Sequence, residues 1–391
     1  MLNIIENYRA EQFINYAKGK NNVYAFGAGD FIKNFCMMTQ RRDFEKSIFA
    51  FTDNNPEKWG QEIIIKDNTF PIISIDDFKA QIKQDDIILI STYYSVQDVI
   101  KQLGEIQELE GIDCFVLRQF DIDGLPFLIH LETNVTDDCN LSCKGCTHFS
   151  NLFDKKCCYA LEDFKRDIAK IAENCAVIKL HLLGGEPLLN ENLYKYVDFA
   201  RVALPYTQIF IDTNGLLLFK HSEKLYESMK RNNVEFRISL YEPTLRIKAK
   251  IVDFLNSRNI KFTFKPEQAQ ITKFTKILSE SFDSDPEKSM TVCTSAGCRF
   301  LRNGTIYKCP VEGLVYAYYD KFGITNDLKY GIEIDSIDNW HKVIWQLNEH
   351  PVEACRVCSE TPELMDWELS IHPDRKDWVA ISDRNGELFN G

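Results

Sequence analysis

The 391-residue chain contains no run of about 18 apolar residues, so no membrane-spanning helix is expected. It has no excess of basic residues. Lys and Arg number 46 against 58 Asp and Glu, giving a formal net charge of −12 with the signs mixed along the chain. That balance argues against a nucleic-acid backbone or an anionic membrane as the main partner. The stretch Met1 to Arg9 carries Glu6 early and lacks the basic-then-apolar pattern of a secretion signal. A soluble cytoplasmic protein is the expectation. No internal repeat or low-complexity tract is present.

What the chain does have is length, apolar residues and cysteine. It is too long for one ordinary core and suits two or three domains. A hydrophobic share of 45% marks a globular protein. Thirteen cysteines in a reducing compartment point to metal, catalysis or packing rather than to disulfides. Cys36, Cys114 and Cys175 stand alone in apolar or helical stretches and read as small core residues. The adjacent Cys157 and Cys158 read as packing or coincidence. The other eight fall in two clusters.

Residues 1–125 alternate short apolar strands with helical patterns, which predicts a parallel, doubly wound sheet. An amphipathic segment spans Leu2 to Ala17. Strands are expected at 22–26, 47–51, 63–65, 87–90 and 114–117, with helices at 30–39, 75–82 and 96–103. Residues 126–285 repeat the alternation as five βα-type units, enough for a partial barrel. Strands fit 130–135, 177–183, 208–212, 235–240 and 261–264; helices fit 161–174, 190–202, 220–230 and 244–256. Residues 286–391 differ: they hold five of the thirteen cysteines, a hairpin signal at Asn303-Gly304 and a Trp- and Asp-rich tail.

The first cysteine cluster is Cys139-x3-Cys143-x2-Cys146, on a loop just after a predicted strand. Thiolates are soft ligands for iron–sulfur clusters and zinc. Clusters usually take four cysteines, so three in a tight loop leave one iron open to a small chelating molecule. The second motif, Leu183-Gly184-Gly185-Glu186-Pro187, ends the next predicted strand. Its glycines let backbone approach a ligand closely. Asp212-Thr213-Asn214-Gly215 and Ser239 end later strands, where barrel active sites form. Thr213 and Asn214 also have the composition of an ordinary turn, and Ser239 can satisfy local backbone.

Over roughly residues 130–360 these motifs resemble the radical S-adenosylmethionine (radical SAM) superfamily. The resemblance implies a partial (β/α)6 barrel and a [4Fe–4S] cluster on Cys139, Cys143 and Cys146. The open iron would be chelated by S-adenosylmethionine, whose reductive cleavage gives a 5′-deoxyadenosyl radical. It also implies that Glu186 holds the methionyl amine with help from Gly184 and Gly185. Thr213, Asn214 and Ser239 would then face the ribose and carboxylate. An electron donor such as flavodoxin or ferredoxin belongs to the same picture. One departure is visible. The residue before the third cysteine is often aromatic, and here it is Gly145; the nearest aromatic is Phe149.

The second cluster comprises Cys293, Cys298, Cys309 and the pair Cys355-x2-Cys358. A C-x2-C pair is a common half of a metal site. Five candidates compete for four places, with Cys293 and Cys298 as rivals, and zinc suits the spacing as well as iron and sulfide do. The pattern resembles the short "twitch" auxiliary-cluster domain of some radical SAM enzymes, which implies a second [4Fe–4S] cluster in residues 286–391.

In the first domain, Gly27-Ala28-Gly29 follows a strand and opens a helix, and Asp53 follows the next strand. This is half of a dinucleotide fingerprint. Ile32 occupies the place of the third glycine, and no Tyr-x3-Lys partner for hydride transfer is evident. The stretch 51–60 with Phe70-Pro71-Ile72-Ile73 resembles Rossmann-like domains beside sugar-modifying and glycan-assembly enzymes. Binding of a nucleotide or nucleotide-linked sugar and a docking role are both open. The favoured substrate is accordingly a small polar molecule, a sugar or nucleotide-linked sugar. A peptide or protein substrate is the alternative, and a non-catalytic zinc or redox-sensing protein is the alternative of another class. No catalytic hydrogen donor is assigned.

Overall fold

The computed structural model describes residues 2–5, 9–39, 43–93, 95–154, 157–266 and 269–381. Glu6 and the rest of residues 6–8 of the expected Leu2–Ala17 segment, and residues 382–391 of the expected tail, lie outside the described residues. Two units are present, Met1–Phe127 and Leu128–Gly391.

In the first unit the elements are β1 (Asn3–Ile5), α1 (Ala10–Ala17), β2 (Val23–Phe26), α2 (Asp30–Met38), β3 (Ala50–Thr52), β4 (Glu62–Ile65), β5 (Asn68–Ile73), α3 (Ile75–Gln81), β6 (Ile87–Ile90), α4 (Val96–Gly104) and β7 (Asp113–Val116). The sheet order is β1-β7-β6-β2-β3-β5-β4, with the chain winding outward from β2 in both directions. This is the doubly wound, Rossmann-like arrangement. Strands β2 and β6 are buried along their whole length, as strands covered on both faces must be. The sheet is not wholly parallel. Glu62–Ile65 forms an antiparallel hairpin with β5, turning at Lys66, which has φ 53°. Its alternating burial marks a strand with one solvent face. The amphipathic start also divides: β1 pairs with β7, and only α1 is helical.

The second unit contains β8 (Phe127–Thr136), α5 (Leu161–Asn174), β9 (Ala176–Gly184), α6 (Leu193–Ala203), β10 (Gln208–Thr213), α7 (Glu223–Arg231), β11 (Glu235–Ser239), α8 (Glu242–Arg246), α9 (Lys248–Ser257), β12 (Lys261–Lys265), β13 (Lys273–Leu278), α10 (Pro286–Thr291), β14 (Cys298–Arg302), β15 (Thr305–Tyr307), α11 (Pro310–Leu314), α12 (Tyr316–Phe322), β16 (Ile332–Glu333), α13 (Trp340–Glu349) and β17 (Cys358–Asp366). Its main sheet runs β12-β11-β10-β9-β8-β14-β15-β16, an open, partial barrel. Strand β14 comes from beyond residue 285, yet it pairs in parallel with β8, so the barrel sheet continues into the cysteine-rich region. The Asn303-Gly304 hairpin joins β14 to β15, with both residues at positive φ.

Alternation along the strands divides two environments. Leu131 and Val135 of β8, Ile209 and Ile211 of β10, and Phe236 and Ile238 of β11 pack with the helices in one core. The intervening residues, His130, Glu132 and Asn134 of β8, Phe210 and Asp212 of β10, and Arg237 and Ser239 of β11, face the other way. That inner face is where the polar chemistry gathers.

Candidate active site

The cluster loop leaves β8 at Thr136 and is fixed before its first cysteine. Asp137 is buried against the guanidinium of Arg302 from β14, with one contact at 2.6 Å. The next anchor is Gly184-Gly185. Gly185 N–H donates to the Thr136 carbonyl at 3.0 Å, and Glu186 N–H to the Asp138 carbonyl at 2.7 Å. A Cβ at Gly184 would stand 2.1 Å from the Thr136 oxygen, and one at Gly185 2.1 Å from the Asp138 oxygen. No side chain fits there, which is the physical reason for two glycines.

Sequence from far along the chain covers the loop. Trp367 Nε1–H points at Cys143 Sγ at 3.3 Å, and Trp378 Nε1–H donates to the Cys146 carbonyl at 2.9 Å. Ser142 and Ser370 exchange hydrogen bonds, and Lys144 pairs with Glu368 at 2.6 Å. Gly145 adopts φ 60°, and a Cβ there would meet Met365 and the Asp377 carbonyl. The covering tail therefore occupies the space that a side chain before the third cysteine would need. Phe149 does not substitute for the aromatic expected there, being fully buried beside Trp378.

Glu186 is completely buried. Its carboxylate accepts from Thr213 Oγ1 at 2.6 Å, Asn214 N–H at 2.8 Å and Leu188 N–H at 3.1 Å. Burial pushes its carboxyl up to about 7 against the pull of those hydrogen bonds. Asn214 in turn donates to Asn140 at 2.7 Å, inside the cluster loop.

A cavity of about 270 Å³ opens at these strand ends. Cys139, Cys143 and Cys146 line it together with Gly184, Gly185, Thr213, Asn214 and Ser239. Glu186 is not among the lining residues; it lies behind the wall that Thr213 and Asn214 present. The three thiols are free, and burial pushes those of Cys139 and Cys143 up to about 12. A second N–H···S contact, from Leu141 to Cys139 at 3.4 Å, joins that of Trp367. Three soft donors with N–H groups aimed at two of them fit a three-cysteine iron–sulfur cluster.

Residues 133–261 match the family model described as the radical SAM superfamily. They form a radical SAM domain. Over 145 residues the chain is 34% identical to a GTP 3′,8-cyclase of Staphylococcus epidermidis, covering 35% of this chain and 40% of that one. Over 140 residues it is 35% identical to a GTP 3′,8-cyclase of Staphylococcus haemolyticus, covering 34% and 38%. The chain thus spans about two fifths of the length of the curated relatives it matches. Similar solved structures include Streptococcus suis SuiB bound to S-adenosylmethionine, at 19% identity, 35% of this chain, 33% of that one and TM-score 0.29. BtrN in complex with AdoMet and 2-DOIA matches at 13% identity, 60% and 94% coverage and TM-score 0.37. The radical SAM domain marks an enzyme and implies a [4Fe–4S] cluster and S-adenosylmethionine. Among the described residues no helix is long and apolar enough to cross a membrane.

Sequence reasoning missed the polar lining of the radical SAM barrel. Arg237 lies over the Phe210 ring at 5.7 Å, Phe210 stacks on His181 at 4.8 Å, and His181 on His130 at 3.9 Å, one residue from each of four strands. Asp212 holds His181 Nδ1 at 2.6 Å, and burial pushes that imidazole down to about 4. Glu132, His148, Asp212 and Tyr241 line the cavity beside the thiols. The alternation His130-x-Glu132-x-Asn134 in a strand that begins as an apolar run was the available signal.

Beyond the radical SAM domain, Cys293, Cys309, Cys355 and Cys358 line one further cavity, and Cys298 is not among its lining residues. Backbone N–H groups of Ser295, Glu312 and Val352 point at the sulfurs of Cys293, Cys309 and Cys355 at 3.3–3.5 Å. Four thiols so arranged fit a metal or cluster. Cys157 is exposed and donates to Asp137 at 3.2 Å.

In the first unit, Gly27 has φ 115° and a Cβ there would crowd Thr92 N–H, so the turn demands glycine. Gly29 caps α2 with ordinary φ and open space around it. The Asp53 carboxylate accepts from Ala28 N–H at 2.9 Å and pairs with Lys58 at 2.7 Å. Those partners hold it below the usual carboxylate range although burial opposes them.

Proposed function

We propose that the chain holds its [4Fe–4S] cluster on Cys139, Cys143 and Cys146 and abstracts hydrogen from a small polar substrate. The observation that carries this reading is the convergence of three thiols, bare glycine backbone and three polar strand-end side chains on one cavity. Cluster and S-adenosylmethionine supply reductive sulfonium cleavage to a 5′-deoxyadenosyl radical. The chain binds, orients and shields. Gly184 and Gly185 present backbone groups for the methionyl amine. Glu186 acts from behind, holding Thr213 and Asn214 in place by the hydrogen bonds it accepts. Thr213, Asn214 and Ser239 then offer hydroxyl and amide groups to the ribose and carboxylate. Trp367 and Trp378 exclude water from the Cys143–Cys146 side.

Cys293, Cys309, Cys355 and Cys358 form the proposed second [4Fe–4S] site in a twitch-like region, with zinc as the competing metal. The two carboxylates at the cavity wall, Glu132 and Asp212, and the lack of Lys and Arg among the described residues that line it suit hydroxyl or amino groups rather than phosphates. A sugar or nucleotide-linked sugar meets that description if its phosphates stay outside the cavity. The GTP 3′,8-cyclase relatives support a nucleotide-bearing molecule. Gly27, Gly29 and Asp53 belong to a proposed nucleotide or docking site, where a phosphate would take the Ala28 N–H from Asp53. An electron donor of the flavodoxin or ferredoxin kind and a cytoplasmic location complete the reading.

The test is anaerobic turnover by dithionite-reduced protein, scored as 5′-deoxyadenosine release. Changing Cys139, Cys143 and Cys146 together to Ala is expected to abolish release. Retained cleavage in that variant would overturn the proposal. Nucleotide sugars should raise release and short peptides should not.

A further inference from the structure

Cys298 is left over once the other four C-terminal thiols share a cavity. It starts β14, in register with His130 of β8, and so faces the barrel rather than the four-thiol site. Glu132 lies two residues after His130 on the same face of β8. One donor atom from each, an imidazole nitrogen, a carboxylate oxygen and a thiol sulfur, lie within 4.8 Å of one another. His130 Nε2 stands 2.8 Å from Glu132 Oε1 yet makes no aligned hydrogen bond and is shut off from solvent. The contact is at ion-pair distance, and the three donor atoms gather around one point.

We infer that His130, Glu132 and Cys298 form a mononuclear site for a divalent cation of the zinc class, separate from both cysteine clusters. The donor set is right: soft sulfur, imidazole and carboxylate are the three zinc ligand types, and three protein ligands leave one position open. The charge is right: thiolate and carboxylate side by side in a half-buried site are neutralised by a dication. The size is nearly right. Donors at about 2.0–2.3 Å from one tetrahedral zinc lie about 3.5 Å from each other, so the trio closes by at most about 1.5 Å. The His130 ring is held in its plane by stacking on His181 at 3.9 Å and 11°. Glu132 also lines the main cavity, so the open position faces the space where a substrate hydroxyl or a water would sit.

The experiment uses the full chain, reconstituted anaerobically with iron and sulfide, given zinc chloride and stripped of loose metal on a chelating resin. About one zinc per chain should remain. His130→Gln, Glu132→Gln and Cys298→Ser should each retain about a tenth or less of it, with iron unchanged as the control for folding and clusters. The zinc-edge X-ray absorption spectrum of unaltered protein needs no variant and should show one sulfur at about 2.3 Å with nitrogen and oxygen neighbours. No retained zinc, zinc retained by all three variants, or a four-sulfur spectrum would overturn the site. So would a loss of iron in Cys298→Ser, which would return that thiol to a cluster.

Discussion

Gly184 and Gly185 are where one added methyl group reaches furthest. Their Cβ positions fall 2.1 Å from the backbone oxygens of Thr136 and Asp138, and backbone cannot yield as a flexible side chain would. Gly184→Ala or Gly185→Ala should push the loop that carries all three cysteines off the Gly-Gly turn. Affinity for S-adenosylmethionine, followed by equilibrium dialysis on cluster-loaded protein, should fall at least about tenfold, or 1.4 kcal/mol. The comparison is Gly29→Ala, which meets nothing within 4 Å. As a change at a helix N-cap it should cost under about 1 kcal/mol of stability. The motif was legible in sequence because short spacing and residue type carry it. Gly145 was not, because Met365 and Asp377, which forbid a side chain there, lie more than 200 residues further on. Glu186 shows a subtler gap. The sequence shows a carboxylate at a strand end, and only the surrounding donors show which way it turns.

Pairs of elements are held by a few buried charges, and two of these give measurable predictions. Asp137 and Arg302 tie the end of β8 to the end of β14, both nearly inaccessible to solvent. Arg302→Ala strands a buried carboxylate and should destabilise the second unit by about 3–5 kcal/mol in chemical denaturation. Asp113 of β7 ties β1 and α1 together, accepting from Asn3 at 2.7 Å, Tyr16 at 2.5 Å and Lys20 at 3.0 Å. Burial alone would raise its carboxyl, but these hydrogen bonds outweigh burial and hold it below its ordinary 3.8. In the window between the folded and unfolded values the unfolded chain binds the extra proton. The contribution of Asp113 to the stability of the first unit is therefore fully present above about pH 4 and is lost as pH falls through the folded value. Asp113→Asn should flatten that acid limb and lower neutral-pH stability by about 1–2 kcal/mol. Periodicity located these strands and helices to within a few residues, since burial on one or both faces writes itself into the pattern. It failed where pairing decides. The hairpin β4–β5 read as one parallel strand, and β14 read as part of a separate domain, because neither strand partner nor strand direction is encoded in periodicity.

The molecule as a whole places every residue of the proposed radical site in one unit. The cavity lining runs from Glu132 to Phe274, the four-thiol site from Ser289 to Cys358, and the covering tail through Trp378, all within Leu128–Gly391. The first unit has its own core, built on Phe26, Ile88, Ile90, Cys114 and their neighbours, and contributes no thiol to either set. Cofactor cleavage should therefore survive its removal, while any part it plays in substrate capture should not. A chain beginning at residue 126 keeps β8 entire. Anaerobically reconstituted, it should carry about eight irons per chain if both thiol sets hold [4Fe–4S], against about four with zinc making up the difference if the C-terminal set is a zinc knot. Its rate of uncoupled 5′-deoxyadenosine release per loaded cluster should lie within about threefold of the full chain, a barrier change under about 0.7 kcal/mol. Stimulation of that release by a nucleotide sugar should be lost if the first unit captures the nucleotide. Loss of uncoupled cleavage in a folded, fully loaded truncation would show that the radical site is not self-sufficient. Equal stimulation with and without residues 1–125 would leave the first unit a docking role and place all substrate recognition in the barrel.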